Sequence, residues 1–121
     1  MDSTGPVWSK RLKEARLAAG LSRKQLGIAS GLDEFVASPR VNRYEQGVHQ
    51  PDYLMSQRMA EVLNVPVAYL YCDDEKLASM LVAFHRAPLA LKRQVAKALL
   101  ESWLPLKKLE GCRPFLIRLP L

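Results

Sequence analysis

GLSRKQLGIASGLDEFVASPRVNRYEQGVHQP, residues 20–51, decides the fold. Ser22 and Gln25 have the spacing of a capping box, in which each side chain satisfies a free backbone N–H near the other. Leu21 and Leu26 hold the two positions of a hydrophobic staple around that start. Gly31 suits the left-handed residue just past a helix end, so the first half of the stretch reads as a short helix marked at both ends. The second half offers two starts. Asp33 could cap a helix, but Pro39 would then lie inside it, losing a hydrogen bond at a cost of about 3 kcal/mol. Ser38 followed by Pro39 is the better start, because proline suits the first helical position and disfavours helical geometry in the residue before it. A third helix is therefore predicted over 39–46, ended by Gly47, with 33–37 a long turn or a separate helical scrap.

Working outward, Trp8, Leu12, Ala15 and Ala19 recur at helical spacing on one face of a first helix that Gly20 closes. Beyond Pro51 a fourth helix is predicted over 52–63 with Met59, Ala60 and Leu63 inward, stopped at Asn64. A short fifth follows over 66–71. Asp73 or Asp74 can cap a sixth, with Leu77, Met80, Leu81 and Phe84 as its apolar stripe. A seventh starts near Pro88, with Leu91, Val95, Ala98, Leu99 and Ser102 on one face. From residue 105 the chain carries three prolines and a strand-like run at 115–119, and the order of this tail is left open. The class is all-α: five helices over 7–71, a helical extension over 72–104 and a tail over 105–121.

The 121 residues are 49% hydrophobic, enough for a real core, and the net charge of +6 favours an acidic partner such as nucleic acid or an anionic surface. Cys72 and Cys112 have no CxxC spacing, which argues against zinc and against a disulfide framework, and they read as reduced thiols. No apolar stretch approaches the roughly 18 residues needed to span a bilayer, and no signal-peptide pattern opens the chain. A cytoplasmic protein without membrane, metal or cofactor partners is expected. Glycine-rich phosphate loops and nucleophile elbows are absent, and two scattered histidines are a poor basis for acid–base chemistry, so the chain does not read as an enzyme.

Residues 8–71 resemble the Cro/phage-repressor type of helix-turn-helix domain, often called XRE-like. The resemblance rests on RLKEAR (11–16), GLSRKQLG (20–27), VNRYEQG (41–47), Pro51 and MAEVLNVPVAYL (59–70), which fall in the family's order. It implies a repressor-like five-helix module with double-stranded DNA as partner and the third helix as reader. Val41, Tyr44 and Leu26 match packing positions, and Arg16 and Glu45 match a partly buried ion pair. The recognition helix enters the major groove N-terminus first, which makes Ser38, Arg40, Asn42 and Arg43 the base-contact candidates. Arginine bonds guanine O6 and N7 as a bidentate pair, and asparagine does the same with adenine N6 and N7. Arg43 matches a family position that often touches bases. The free N–H groups at the start of the second helix bind anions, so Ser22, Arg23 and Lys24 are phosphate candidates, with Arg11, His49 and Gln50 as weaker ones.

The chain departs from the family between Gly31 and Val41, which are about four residues further apart than usual. Pro39 stands at a position that is normally polar and exposed, and Ser56 where a leucine is usual. Asp33, Glu34 and Phe35 sit beside the groove-facing end, where two carboxylates repel phosphate, so this segment either folds away from DNA or tunes which sites are tolerated. Because one helix-turn-helix reads few base pairs, a homodimer is expected, with the sixth and seventh helices as the pairing element. The alternative is an antitoxin-like or adaptor module that holds another protein through its C-terminal helices, with DNA binding secondary.

Overall fold

The computed structural model describes residues 6–108, with side chains through residue 103. Its described residues form seven helices and no strand: α1 Val7–Ala18, α2 Arg23–Ala29, α3 Ala37–Glu45, α4 Tyr53–Leu63, α5 Val67–Leu70, α6 Glu75–Arg86 and α7 Leu89–Lys108. The chain divides into two compact units, the first running through Arg86 and the second starting at Ala87.

The helix ends follow from local chemistry. Ser22 Oγ accepts the Gln25 N–H at 3.0 Å and Gln25 Oε1 accepts the Ser22 N–H at 2.8 Å, the reciprocal pair of a capping box. Asp52 caps α4 by accepting the Met55 N–H at 2.9 Å, and Asp74 caps α6 by accepting the Leu77 N–H at 2.8 Å. At the end of α2, Gly31 has φ +102°, the Leu32 N–H reaches Gly27 O and the Gly31 N–H reaches Ile28 O. This is a Schellman ending, and the same pair of bonds closes α1, α3 and α4.

One core holds the first unit together, with Trp8, Leu12, Leu26, Val41, Met59, Leu63 and Leu70 all buried. Trp8 meets Tyr44 edge-on, with ring centroids 5.9 Å apart. Trp8 Nε1 donates at 3.2 Å to Ser56 Oγ, so the serine found in place of a leucine satisfies a buried indole N–H. Of the predicted first-helix face, Trp8, Leu12 and Ala15 are buried, but Ala19 is exposed. It lies one residue beyond α1, where the chain has already begun its turn.

The start of α3 corrects the sequence reading. The helix begins at Ala37 rather than Pro39, so Ser38 is a first-turn residue and not the cap. Pro39 is then the third helical residue, and its missing N–H is one that no helix would have bonded. The choice is made by packing, because Ala37 is fully buried against α2. Ahead of it, Asp33 Oδ2 accepts the Phe35 N–H at 3.0 Å and Asp33 O accepts the Val36 N–H at 3.0 Å, giving a short pinned turn.

Helix α6 packs on this core through buried Ala78, with Val82 beside it, rather than through the predicted stripe. Leu77 and Met80 of that stripe are about half exposed. In the second unit α7 runs unbroken through Pro105 to Lys108, past the predicted end of the extension at 104. Residues 109–121, with the strand-like run at 115–119, lie outside the described residues.

Candidate nucleic-acid interface

Helix α3 is seated by a close approach to α2. A Cβ added to Gly27 would lie 2.7 Å from Ala37 Cβ and 3.0 Å from its Cα, so glycine at this point lets the two backbones meet. Ala37, Val41 and Tyr44 form the buried face of α3. Ser9 Oγ donates at 2.7 Å to Tyr44 O and ties the end of α3 to α1. The opposite face carries exposed Ser38, Pro39 and Arg43, with Arg40 and Asn42 half-buried at its margins.

Glu45 is the electrostatic pin of this arrangement. Its carboxylate is 2% exposed and accepts from Arg16 Nε at 2.5 Å, from Arg16 Nη2 at 3.2 Å and from Arg23 Nε at 3.1 Å. Arg16 also donates from Nη1 to Leu21 O at 2.9 Å, so each nitrogen of its buried guanidinium is bonded. One carboxylate thus joins α1, α2 and α3. Arg23 differs from Arg16 because its side chain is 39% exposed, at the first residue of α2. One edge of it is anchored while the rest faces solvent beside the helix start.

Arg40 and Arg43 have no side-chain partner among the described residues, while Asn42 Oδ1 accepts a long bond from Gln46 Nε2 at 3.4 Å. Lys24 is exposed in the first turn of α2, and Ser22 Oγ is occupied by its cap. His49 and Gln50 are exposed in the loop after α3, where Arg43 O accepts the Val48 and His49 N–H groups. Cations therefore gather at two places, the start of α2 and the outer face of α3.

The helix-turn-helix family model matches residues 12–70. Among solved structures, that of the transcriptional regulator BswR is similar, with 41% sequence identity and a TM-score of 0.71, covering 77% of this chain and 92% of its own. The chain belongs to the Cro/phage-repressor type, XRE-like helix-turn-helix family. No curated protein matches its sequence. No helix among the described residues is long and apolar enough to cross a membrane, and none of their acidic, histidine and cysteine side chains group to hold a metal.

Within this XRE-like domain one predicted contact is overturned. Arg11, read as a phosphate candidate, is 1% exposed. Its Nε donates to Cys72 O at 2.8 Å, its Nη2 to Asp73 O at 3.2 Å, and its Nη1 to Glu14 at 3.0 Å and Glu75 at 3.2 Å. It also lies over the Tyr69 ring, 5.6 Å from the centroid. Burial opposes the Arg11 charge, but the bonds and attraction from Glu14 and Glu75 outweigh it and hold the guanidinium above its ordinary pKa. Burial and the hydrogen bond to Glu14 likewise push the Tyr69 hydroxyl well up, so it stays a donor. Hydrogen bonds from Lys10 and Arg11 hold the Glu75 carboxyl below its ordinary value. This group is a structural clasp between α1, α5 and α6.

The sequence reading placed Phe35 in the added segment beside the groove-facing end and left that segment's role open. It is 84% exposed in the pinned turn just ahead of α3. The available signal was a large aromatic directly after two carboxylates, inside the segment by which the chain departs from its family.

Proposed function

We propose that this protein is a transcriptional repressor that binds double-stranded DNA as a homodimer, with α3 in the major groove reading sequence through Arg43. DNA-binding regulation of transcription is the activity of the family, and the similar protein BswR is a transcriptional regulator. The observation that carries the reading is the division of α3 into two faces. One is spent on Ala37, Val41 and Tyr44, and the other presents an exposed arginine, without a partner among the described residues, beside Ser38, Arg40 and Asn42. An arginine free to form a bidentate pair with guanine contributes about 1–3 kcal/mol of discrimination against the wrong base.

Arg23 and Lys24 are assigned to phosphate. The N–H groups opening α2 attract anions, and Arg23 is held in place beforehand by Glu45. Ser22 contributes through its backbone, since its side chain closes the cap. His49 and Gln50 reach the backbone from the loop after α3. Two such units about 34 Å apart would read a two-fold operator, and the half-exposed Leu77 and Met80 of α6 are apolar surface suited to pairing chains.

Selection from a random duplex pool tests the proposal as a whole. The expected result is a symmetric pair of half-sites and an affinity that falls steeply with salt. Arg43→Ala relaxes preference at one position of each half-site, whereas Arg23→Ala weakens all sequences alike and lowers the salt slope. A protein that ignores duplex DNA at low salt defeats the proposal.

A further inference from the structure

Resting on that reading of α3, we infer that Phe35 is a specificity residue that packs on the 5-methyl group of a thymine at the edge of the half-site. Phe35 is 84% exposed, more than any other large hydrophobic side chain among the described residues. It is not on a loose loop. Asp33 Oδ2 accepts its backbone N–H at 3.0 Å and Asp33 O accepts the next N–H, from Val36, also at 3.0 Å. Val36 O in turn accepts the Arg40 N–H at 3.0 Å, the first full turn of α3. The backbone carrying the ring is thus continuous with the recognition helix, and the turn is fixed without drawing the ring into the core.

Position supplies the rest. A recognition helix meets the groove with its N-terminal end, and Phe35 directly precedes Val36, the residue at that end. Arg40 and Arg43, which follow within the same helix, have no partner among the described residues and offset the carboxylates of Asp33 and Glu34 toward phosphate. Asp33 accepts a backbone N–H within the turn, and Glu34, next to the ring, is exposed. In the major groove the thymine methyl is the one apolar feature on a base edge, and aromatic or methyl-bearing side chains are what contact it. The added residues of this segment therefore extend the reading surface by one apolar contact.

The test uses the full chain and the duplex obtained by selection. Each thymine of a half-site is replaced in turn by deoxyuridine, which removes only the methyl, and dissociation constants are measured at fixed salt. Withdrawing one methyl from water is worth about fourfold in affinity. Wild type should lose about that factor at one position per half-site. Phe35→Ala should lose a similar factor on the thymine duplex and become indifferent to the uridine replacement there. Phe35→Leu should retain part of the effect. If wild type and Phe35→Ala respond alike to uridine at every position, the inference is overturned. It is also overturned if Phe35→Ala alters the thermal midpoint or the oligomeric state, since the ring would then serve a contact between proteins. Either result leaves DNA binding itself intact, whereas absence of wild-type binding defeats the underlying reading instead.

Discussion

Gly27→Ala sets two effects of opposite sign against each other. Gly27 lies in the interior of α2, and replacing an interior helical glycine by alanine ordinarily stabilises by about 1 kcal/mol. At this site the new methyl would sit 2.7 Å from Ala37 Cβ, 3.0 Å from Ala37 Cα and 3.1 Å from its carbonyl oxygen. Carbon atoms are content at about 3.5–4.0 Å, so α3 must withdraw by roughly 1 Å. Two of the three opposing atoms are backbone and cannot turn aside. Overpacking of this kind costs about 1–3 kcal/mol, leaving a net loss of about 1 kcal/mol. Urea unfolding should show a midpoint lower by about 0.5–1 M with an unchanged slope. DNA affinity should fall further than stability does, because the displaced element carries Arg43. Ala37→Gly placed in the same chain should recover part of the loss, a coupling that two independent sites would not display. A midpoint that rises for Gly27→Ala alone would refute the reasoning, by showing that helix propensity outweighs the contact.

Glu45→Ala should cost about 3–5 kcal/mol in thermal or urea unfolding, because it strands the buried Arg16 guanidinium; Arg23→Ala, at a third-exposed partner of the same carboxylate, should cost under about 1 kcal/mol. Ser56→Ala should destabilise by about 1–3 kcal/mol, since it leaves the buried Trp8 indole N–H without an acceptor, and tryptophan fluorescence should follow the change. The depressed Glu75 pKa contributes stability that is present above the ordinary carboxylate range and is lost as pH falls through its folded value. Glu75→Gln should therefore be less stable than wild type at neutral pH, with the difference closing below about pH 4 in acid unfolding curves.

Much of this fold was legible because its signals are local. The Ser22–Gln25 box, the stops at Gly20, Gly31, Gly47 and Asn64, and the inward Met59, Ala60 and Leu63 depend on neighbours a few residues away. The reading failed where distant chain decides. Pro39 is as comfortable third in a helix as first, and only the contact of Ala37 with Gly27 selects between the two registers. Arg11 has the look of any surface arginine on an amphipathic helix, and its burial is set by Cys72, Asp73 and Glu75, more than sixty residues on. The stripe on α6 was found by period alone, yet the helix packs by its small residue, Ala78. Of the candidate site, exposure keeps Ser38, Arg43, Lys24, His49 and Gln50 available, and burial removes Arg11.

The Arg11 clasp also fixes where this chain can be shortened. A fragment ended at Tyr71, after α5, would still contain every residue assigned to DNA. It would nonetheless lose the two carbonyls and one of the two carboxylates that hold the Arg11 guanidinium. A cation would be left in a hollow with three of its four hydrogen-bond partners missing, and Val82 and Ala78 would be gone from the core. Arg86 adds to this from the far end of α6, donating to Asn64 O at 2.9 Å and to Leu63 O at 3.3 Å, the carbonyls that α4 leaves open. The compact unit that carries the residues assigned to DNA therefore extends through Arg86, one helix beyond the five that define its family.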